Sequence, residues 1–404
     1  MKKNFFFLTL FTIISNLGSG IFAFIVSFYF LKESNNAIIF SVLIASTTIS
    51  SIVFKILAGY FADLLNKKKL VLFTQFLSVL FLGVFSINTN LVENYKFVVA
   101  LLIILAMSDS FSSIVFNSGM VSIVGEKYLQ KFITVNMIVI NIITIFSPIM
   151  GGVLFSILDI KIFIYLILCT ETLSFLILIF IKIPDIRENI QKSSNIVSFK
   201  GFLRDYIETF NYIKNYKDLM ILLCLSLVMN FFFSISNIGF QTGLVKIFNY
   251  DSFTYSLIVS ALSLGIIIIS LVLMGLKDLN IKKNLTLSLG IMSFSYLLLS
   301  LNFIYSDIGI SSYLLFIIML VIGASLGLYN ATSSIFKQTV IQDDLKGKYF
   351  GLETMAAQVA MPLGYIIGGV LFEINTFIYP LIFISIVFIL MVVLFTIKRN
   401  FKVV

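Results

Sequence analysis

Histidine and tryptophan are absent from the 404 residues of this chain, and only 12% of its residues are charged. Without histidine, neither a histidine-ligated metal nor a histidine proton relay can be built. Without tryptophan, any aromatic belt at a lipid interface must consist of tyrosine. Soluble domains carry about 25% charged residues. A chain that is 59% hydrophobic is therefore expected to lie in a lipid bilayer.

Cysteine is equally scarce. Cys169 and Cys224 lie within apolar runs, so we expect two small buried side chains and no disulfide framework. The net charge of +9 comes from residues in short gaps between apolar runs, which argues against a nucleic-acid-binding face. We find no P-loop and no nucleophile paired with a base. The chain is therefore not expected to be an enzyme or to need a cofactor.

Twelve apolar segments are long enough to cross the hydrocarbon core as helices, which takes about 20 residues. The predicted spans are 5–31, 38–62, 70–88, 97–123, 132–158, 162–183, 218–246, 253–276, 284–305, 312–340, 349–374 and 377–397. They are too long for the strands of a membrane barrel. The predicted fold is therefore all-α and integral to the membrane, with twelve transmembrane helices.

The basic residues indicate how the chain is oriented. With the N-terminus in the cytoplasm, most of the 28 lysines and arginines fall on the cytoplasmic side. Those on the opposite side are Lys32, Lys96, Lys161 and Lys246. The positive-inside rule therefore predicts that both termini are cytoplasmic. Low charge with abundant Ile, Phe, Asn and Lys is typical of an AT-rich bacterial genome. This composition therefore favours a bacterial inner or plasma membrane.

The longest polar stretch, 184–217, divides the spans into two groups of six. From Phe199 onward its apolar residues have the spacing of an amphipathic helix on the inner membrane surface. The segment GGVLF occurs at 151–155 and again at 368–372, which indicates an internal repeat. We expect a six-helix bundle at 1–183, a hinge at 184–217 and a pseudo-symmetric six-helix bundle at 218–404. Parallel six-helix repeats build one large transporter fold.

The segment GYFADLLNKKK, 59–69, forms the predicted cytoplasmic turn between the second and third spans. Gly59 is expected to let another helix approach closely, and Asp63 lies at the end of a helix. Asn66 tolerates the left-handed backbone that a helix hairpin can require. The three lysines hold the loop on the cytoplasmic side. An ordinary basic loop is the alternative interpretation, but it needs neither the glycine nor the aspartate.

This segment resembles the signature loop of the major facilitator superfamily, roughly G-x-x-x-D-R-x-G-R-R. The matched positions are Gly59, Asp63, Lys67 and Lys68. Leu64 replaces the usual basic residue and Asn66 replaces the second glycine. The resemblance implies that the loop latches two halves together in an outward-open state. Its aspartate would then contact the start of the eleventh span, where Glu353 lies.

A second resemblance lies in the fifth span. SPIMGG, 147–152, is similar to the G-P-x-x-G-G motif of antiporters in the same superfamily. Pro148 kinks a helix, and Gly151 and Gly152 permit tight packing against the other half. Ordinary packing of small residues explains the motif equally well. The segment EKYLQKFITVN, 126–136, also resembles the drug-efflux branch that includes macrolide exporters.

Away from the ends of the predicted spans, four charged residues occur: Lys55, Asp109, Glu171 and Glu353. A charge at the centre of a membrane helix costs about 2.5–3.5 kcal/mol, so such groups usually face protein or water. Asp109 and Glu171 lie near the middle of their spans and are expected to carry a coupling proton. Lys55 can either snorkel to the interface or serve a function.

Polar side chains recur at helical spacing on the first, fourth, seventh and tenth spans. The cavity candidates are Asn16, Ser19, Ser113, Asn117, Asn230, Asn237, Gln241, Tyr329 and Asn330. The resemblance implies that these four spans line a central cavity, whereas interhelical hydrogen bonding is the alternative. A cavity rich in phenylalanine and lacking arginine suits a large apolar or mildly cationic compound.

Together, these patterns predict a monomeric secondary transporter that exports lipophilic drugs or toxins in exchange for protons by alternating access. An uptake permease, a facilitator or a lipid transporter on the same fold remains open, because a fold does not decide direction. The expected partners are a small lipophilic substrate, protons and the lipid bilayer, and not nucleic acid.

Overall fold

The computed structural model describes residues 2–34, 36–184, 211, 214, 217–274, 280–304, 312–341, 343–374 and 378–397. Over these residues the long elements are all helices, with no strand among them. They are α1 (Lys2–Ser34), α2 (Ala37–Leu64), α3 (Lys67–Ile87), α4 (Tyr95–Val124), α5 (Glu126–Ile157), α6 (Ile160–Phe180), α7 (Lys217–Lys246), α8 (Ser252–Met274), α9 (Ile281–Ile304), α10 (Ser312–Val340), α11 (Asp343–Glu373) and α12 (Ile378–Ile397). A short 3-10 helix, Thr89–Glu93, precedes α4.

The predicted fold class is confirmed. Eleven of the described helices are long and apolar enough to cross a membrane, and α12 contains a shorter apolar segment, Leu381–Val392. The chain is therefore a multi-pass membrane protein. The predicted amphipathic helix from Phe199 lies outside the described residues, so the division at a 184–217 hinge stays a prediction.

Two helices begin six residues before the predicted spans, whereas the other starts agree within three residues. α5 begins at Glu126 rather than 132, and α11 begins at Asp343 rather than 349. Both helices start with polar residues, and hydropathy marks only the part of a helix that fits the hydrocarbon core. Gly125, with φ 88°, makes the turn between α4 and α5, a conformation that glycine adopts without a steric penalty.

The chain divides into two compact units, Met1–Ser194 and Asn195–Val404. In the first unit α1 packs against α5, α2 against α4, and α3 against α6. In the second unit α7 packs against α11, α8 against α10, and α9 against α12. The order of helix pairing is the same in both, as the repeated GGVLF segment predicts.

The repeat extends to single contacts. A Cβ added to Gly151 of α5 would lie 2.6 Å from the Phe24 ring of α1. A Cβ added to Gly368 of α11 would lie 3.2 Å from Ile238 Cβ of α7. Each GGVLF segment therefore brings its helix against the first helix of its own unit.

The neighbouring contact also repeats, with its residues exchanged. In the first unit Gly20 of α1 faces Ser147 of α5, 2.6 Å from the position of an added Cβ. In the second unit the glycine is Gly364 of α11, and Ser234 of α7 faces it at 2.8 Å. The two crossings use the same pair of helices, with the glycine and the serine on opposite helices.

The cysteines are not where the sequence predicted. Cys169 in α6 and Cys224 in α7 are both exposed on their helices. An apolar run in a membrane helix includes residues that face lipid as well as residues that face protein, so hydropathy does not separate the two.

Candidate functional site

A buried polar cluster lies where α3, α4 and α6 meet. Glu171 of α6 is 1% exposed and Gln75 of α3 is 2% exposed. Gln75 Nε2 donates a hydrogen bond to Glu171 Oε2. Ser108 Oγ of α4 donates to Gln75 Oε1 at 2.9 Å. Because the Ser108 hydroxyl donates to the amide oxygen, the Gln75 amide nitrogen is turned towards the carboxyl group.

Asp109 lies next to this cluster, but its side chain is exposed, unlike those of Gln75 and Glu171. It follows Ser108 at the middle of α4, and its side chain is exposed. The Asp109 carboxyl still interacts electrostatically with Glu171. Within the described part of the chain, neither carboxyl forms a salt bridge. The two predicted proton carriers are thus brought together, one buried and one exposed.

Two atoms beside the cluster are unsatisfied. Glu171 Oε1 and Ser174 Oγ, one turn further along α6, are buried without a hydrogen-bond partner among the described residues. Sequence reasoning missed Gln75 and Ser108. The available signal was an amide in the middle of an otherwise apolar span, because such groups are rarely left without a partner in a membrane.

The predicted cavity residues of α1 and α4 lie mostly at the surface of the first unit. Asp109, Ser113 and Asn117 are exposed at successive turns of α4, and Asn117 Nδ2 donates to Ser113 Oγ at 3.4 Å. Asn16 of α1 is exposed, whereas Ser19 is half-buried. The stripe on α4 therefore forms one continuous polar face.

The second unit also presents polar groups from α7. Asn230, Asn237 and Gln241 are half-buried. Gln241 Nε2 donates to Asn237 Oδ1 at 2.8 Å, and the buried Tyr255 of α8 donates to Gln241 Oε1 at 2.5 Å. This chain of hydrogen bonds fixes the Gln241 amide group.

The two cavity candidates on α10 differ in their exposure. Asn330 is exposed, but Tyr329 is only 3% exposed. Tyr329 is therefore an interior residue of the second unit, and its predicted place in the cavity stays a prediction. A helix turns by about 100° per residue, so adjacent residues point to different sides.

Comparison with known proteins identifies the family of this chain. The family model described as Major Facilitator Superfamily matches residues 8–242 and 222–402.

The chain belongs to the major facilitator superfamily.

Solved structures agree with this assignment. The nucleoside transporter NupG is similar with a TM-score of 0.75 at 15% identity, covering 100% of both chains. A bacterial homologue of the iron transporter ferroportin has a TM-score of 0.72 at 17% identity, also over 100% of both chains. A D-xylose-proton symporter has a TM-score of 0.70 at 13% identity, covering 96% of this chain and 97% of its own. These likenesses establish the fold. A search of curated protein sequences finds no significant match.

The superfamily loop at 59–69 differs in detail from its prediction. Asn66 has φ −64° and ψ 114°, and its side chain accepts a hydrogen bond from Lys69 N–H at 3.0 Å. The predicted left-handed conformation is wrong, because Asn66 instead caps the N-terminus of α3. Asp63 lies in the last turn of α2.

The basic residues of this loop bind within the first unit. Lys67 Nζ donates to Ser118 Oγ of α4 at 3.0 Å, and Lys68 Nζ donates to the Ile179 carbonyl at the end of α6 at 2.8 Å. No atom of the described chain lies within 4 Å of a Cβ built on Gly59. Within the first unit, no described helix therefore approaches Gly59 closely. Lys55 is half-buried in α2.

Glu353, predicted to join the latch, pairs inside its own unit. Lys337 Nζ of α10 lies 2.6 Å from Glu353 Oε1 and 2.9 Å from Oε2 of α11. The side chains are 8% and 12% exposed. Lys337 also lies over the Phe350 ring, 5.9 Å from its centroid. Lys337 is therefore not a loop lysine but half of a buried ion pair.

The antiporter-like segment is part of a continuous helix. Pro148 lies inside α5, which continues through Gly151 and Gly152 to Ile157. Gly151 was expected to pack against the other half, yet it lies against Phe24 of α1 in the same unit.

Proposed function

We propose that this superfamily member exports lipophilic compounds across the cytoplasmic membrane of a bacterium in exchange for protons. The main support is the pair of carboxyl groups at mid-helix. Asp109 is exposed at the middle of α4, and Glu171 is buried in α6 and linked to α4 through Gln75 and Ser108. Unpaired carboxyl groups inside membrane helices are costly and commonly act in proton relays.

The proposed cargo follows from the groups that the helices offer. The chain contains 44 phenylalanines, and no arginine occurs in the twelve described helices. An anionic substrate would require a cationic partner in the membrane interior. A lipophilic compound, neutral or cationic, needs only apolar contacts and acceptor groups.

The test uses inverted membrane vesicles that contain the protein, with a lipophilic cationic dye outside and an imposed pH gradient. Dye accumulation is expected to stop when an uncoupler collapses the gradient, and to stop in Asp109→Asn. Asp159→Asn is the matched control. Asp159 caps α6 by accepting from Lys161 N–H at 2.9 Å, and asparagine caps equally well.

Two results would contradict this assignment. Gradient-driven accumulation that persists in Asp109→Asn would remove Asp109 from the coupling step. Dye entry that ignores the gradient and stops at equal concentrations would identify a facilitator.

Uptake is the second candidate. Among the similar solved structures are a nucleoside transporter and a D-xylose-proton symporter. Dye or solute accumulation in right-side-out vesicles, but not in inverted ones, would favour uptake over export.

A further inference from the structure

The buried cluster of α3, α4 and α6 contains a carboxyl group without a cationic partner in the described part of the chain. Glu171 is 1% exposed, and no described lysine or arginine forms a salt bridge with it. Lys68, near the start of α3, donates to the Ile179 carbonyl instead. Lys161, near the start of α6, pairs with Glu93. A carboxylate in the interior of a membrane protein is costly unless a proton or a cation neutralises it.

The hydrogen atoms of this cluster do not satisfy all of its oxygens. The Gln75 amide donates to Glu171 Oε2, and the Ser108 hydroxyl donates to Gln75 Oε1. Glu171 Oε1 and Ser174 Oγ are both buried, have no hydrogen-bond partner among the described residues and do not bond to each other. A proton on Oε1 would need an acceptor of its own. A bound cation needs oxygen ligands and no donors, so one ion would satisfy both oxygens.

The ligand atoms and the charge of the cluster indicate which kind of cation fits. Its polar side chains all offer oxygen, which suits hard cations such as Na⁺, Mg²⁺ and Ca²⁺. Among the described residues, no group of three or more His, Cys, Asp or Glu side chains could hold a metal ion. One buried carboxylate balances one positive charge, whereas a divalent ion would leave a net charge in the membrane interior. The cluster therefore fits a monovalent cation.

Asp109 indicates the side from which a cation would enter. It follows Ser108 directly on α4, and its side chain is exposed. Its carboxyl group interacts electrostatically with Glu171. A negative group at the edge of a site raises the local concentration of cations. The exposed face of α4 beside Ser108 is therefore the expected entrance to the cluster.

We propose that Glu171 Oε1 and Ser174 Oγ bind a monovalent cation of the size of Na⁺ inside the first unit. Gln75 and Ser108 orient the Glu171 carboxyl group, as hydrogen-bonding partners of metal ligands commonly do. The bound ion stabilises the packing of α3, α4 and α6. This inference goes beyond the proposed proton exchange and does not rest on it, because exposed Asp109 remains the carboxyl group that exchanges protons.

The experiment measures the binding of radioactive Na⁺ to the purified full-length protein in detergent at about pH 8, with choline chloride keeping the total salt constant. We expect saturable binding of one ion per chain. The melting temperature should rise with Na⁺ concentration, because a ligand that binds the folded state alone stabilises it. Lowering the pH to about 6 should weaken binding, because protons compete for the same carboxylate.

Two variants with matched controls locate the ion. Glu171→Gln should abolish Na⁺ binding and the rise in melting temperature, whereas Glu93→Gln should change neither, because that side chain is 49% exposed. Ser174→Ala should weaken binding at least about ten-fold, since even residues that orient a metal ligand change affinity by about 10–100-fold. Ser156→Ala removes an exposed hydroxyl that bonds to the Val153 carbonyl, and it should leave the affinity unchanged.

The inference is overturned by any of three outcomes. Absence of saturable Na⁺ binding to the wild-type protein would mean that a proton neutralises Glu171. Unchanged binding in Glu171→Gln, or in Ser174→Ala if the first variant does not fold, would place the ion elsewhere. Stabilisation by Ca²⁺ and not by Na⁺ would exclude a monovalent ion. Dye accumulation in vesicles tests the proposed export separately, so either proposal can fail while the other stands.

Discussion

Glu353→Gln is expected to destabilise the second unit by about 3–5 kcal/mol, the usual cost of removing one member of a buried ion pair. The variant leaves the Lys337 ammonium group without its carboxylate. Both Lys337–Glu353 contacts are short, 2.6 and 2.9 Å, and the two side chains are 8% and 12% exposed. Water therefore cannot replace the lost carboxylate easily.

The assay is denaturant-induced unfolding of the purified protein in mixed micelles. Glu93→Gln is the matched control, because the Lys161–Glu93 pair has a similar distance of 3.0 Å but side chains that are 37% and 49% exposed. Exposed pairs contribute about 0–1 kcal/mol. The double variant Lys337→Met/Glu353→Leu should recover most of the loss, because it removes both charges and fills similar volume.

Three results would refute the reasoning. A Glu353→Gln loss no larger than that of Glu93→Gln would mean that burial does not govern the pair. A double variant as unstable as Glu353→Gln would mean that the loss comes from packing rather than from a stranded charge. Abolished transport with unchanged stability would return Glu353 to the latch of the superfamily loop.

Two other predictions concern single side chains. Gln75→Leu should cost about 1–3 kcal/mol in the same unfolding assay, because Ser108 loses its acceptor and buried Glu171 loses its donor; an unchanged stability would contradict the buried cluster. Burial acts to raise the pKa of Asp251, but hydrogen bonds from Thr254 and Phe253 outweigh it and hold the pKa below its usual value. Asp251 caps the start of α8, because its Oδ2 accepts from the Phe253 and Thr254 N–H groups. The stability from this helix cap should therefore be present above pH ~3.9 and be lost as the pH falls through the lower folded-state pKa. Asp251→Ala should cost about 1 kcal/mol at neutral pH and flatten that dependence in thermal melts from pH 2 to 7, whereas Asp251→Asn should keep the cap.

The sequence predicted the spans well because hydropathy and span length depend on the bilayer rather than on neighbours. It also predicted the repeat, since GGVLF occupies the same crossing in both units. The prediction of a left-handed backbone at Asn66 was wrong because it considered only the conformations that asparagine tolerates in a helix hairpin. The neighbouring Lys69 N–H, an unpaired donor at a helix start, determines its actual role as a cap.

Contacts between distant helices were beyond sequence reasoning. Gln75 and Glu171 come from α3 and α6, and no periodicity within either helix indicates that they meet. Lys337 was counted among the cytoplasmic lysines because it lies three residues from the end of a predicted span. Its burial against Glu353 depends on a second helix, which the spacing of charges does not reveal. The mid-helix positions of Asp109 and Glu171 were predicted correctly, but their different exposure depends on packing around each helix.

The exchanged glycine–serine contact has a consequence for how the two halves of this chain can be compared. The crossing of the first and fifth helices of a unit needs a glycine, and either helix can supply it. Gly20 supplies it in one half and Gly364 in the other. The crossing therefore limits the combined volume of two facing positions and does not require a glycine at a fixed place. An alignment of one helix with its counterpart in the other half would show a missing glycine. The glycine is not missing from the crossing, because the facing helix supplies it.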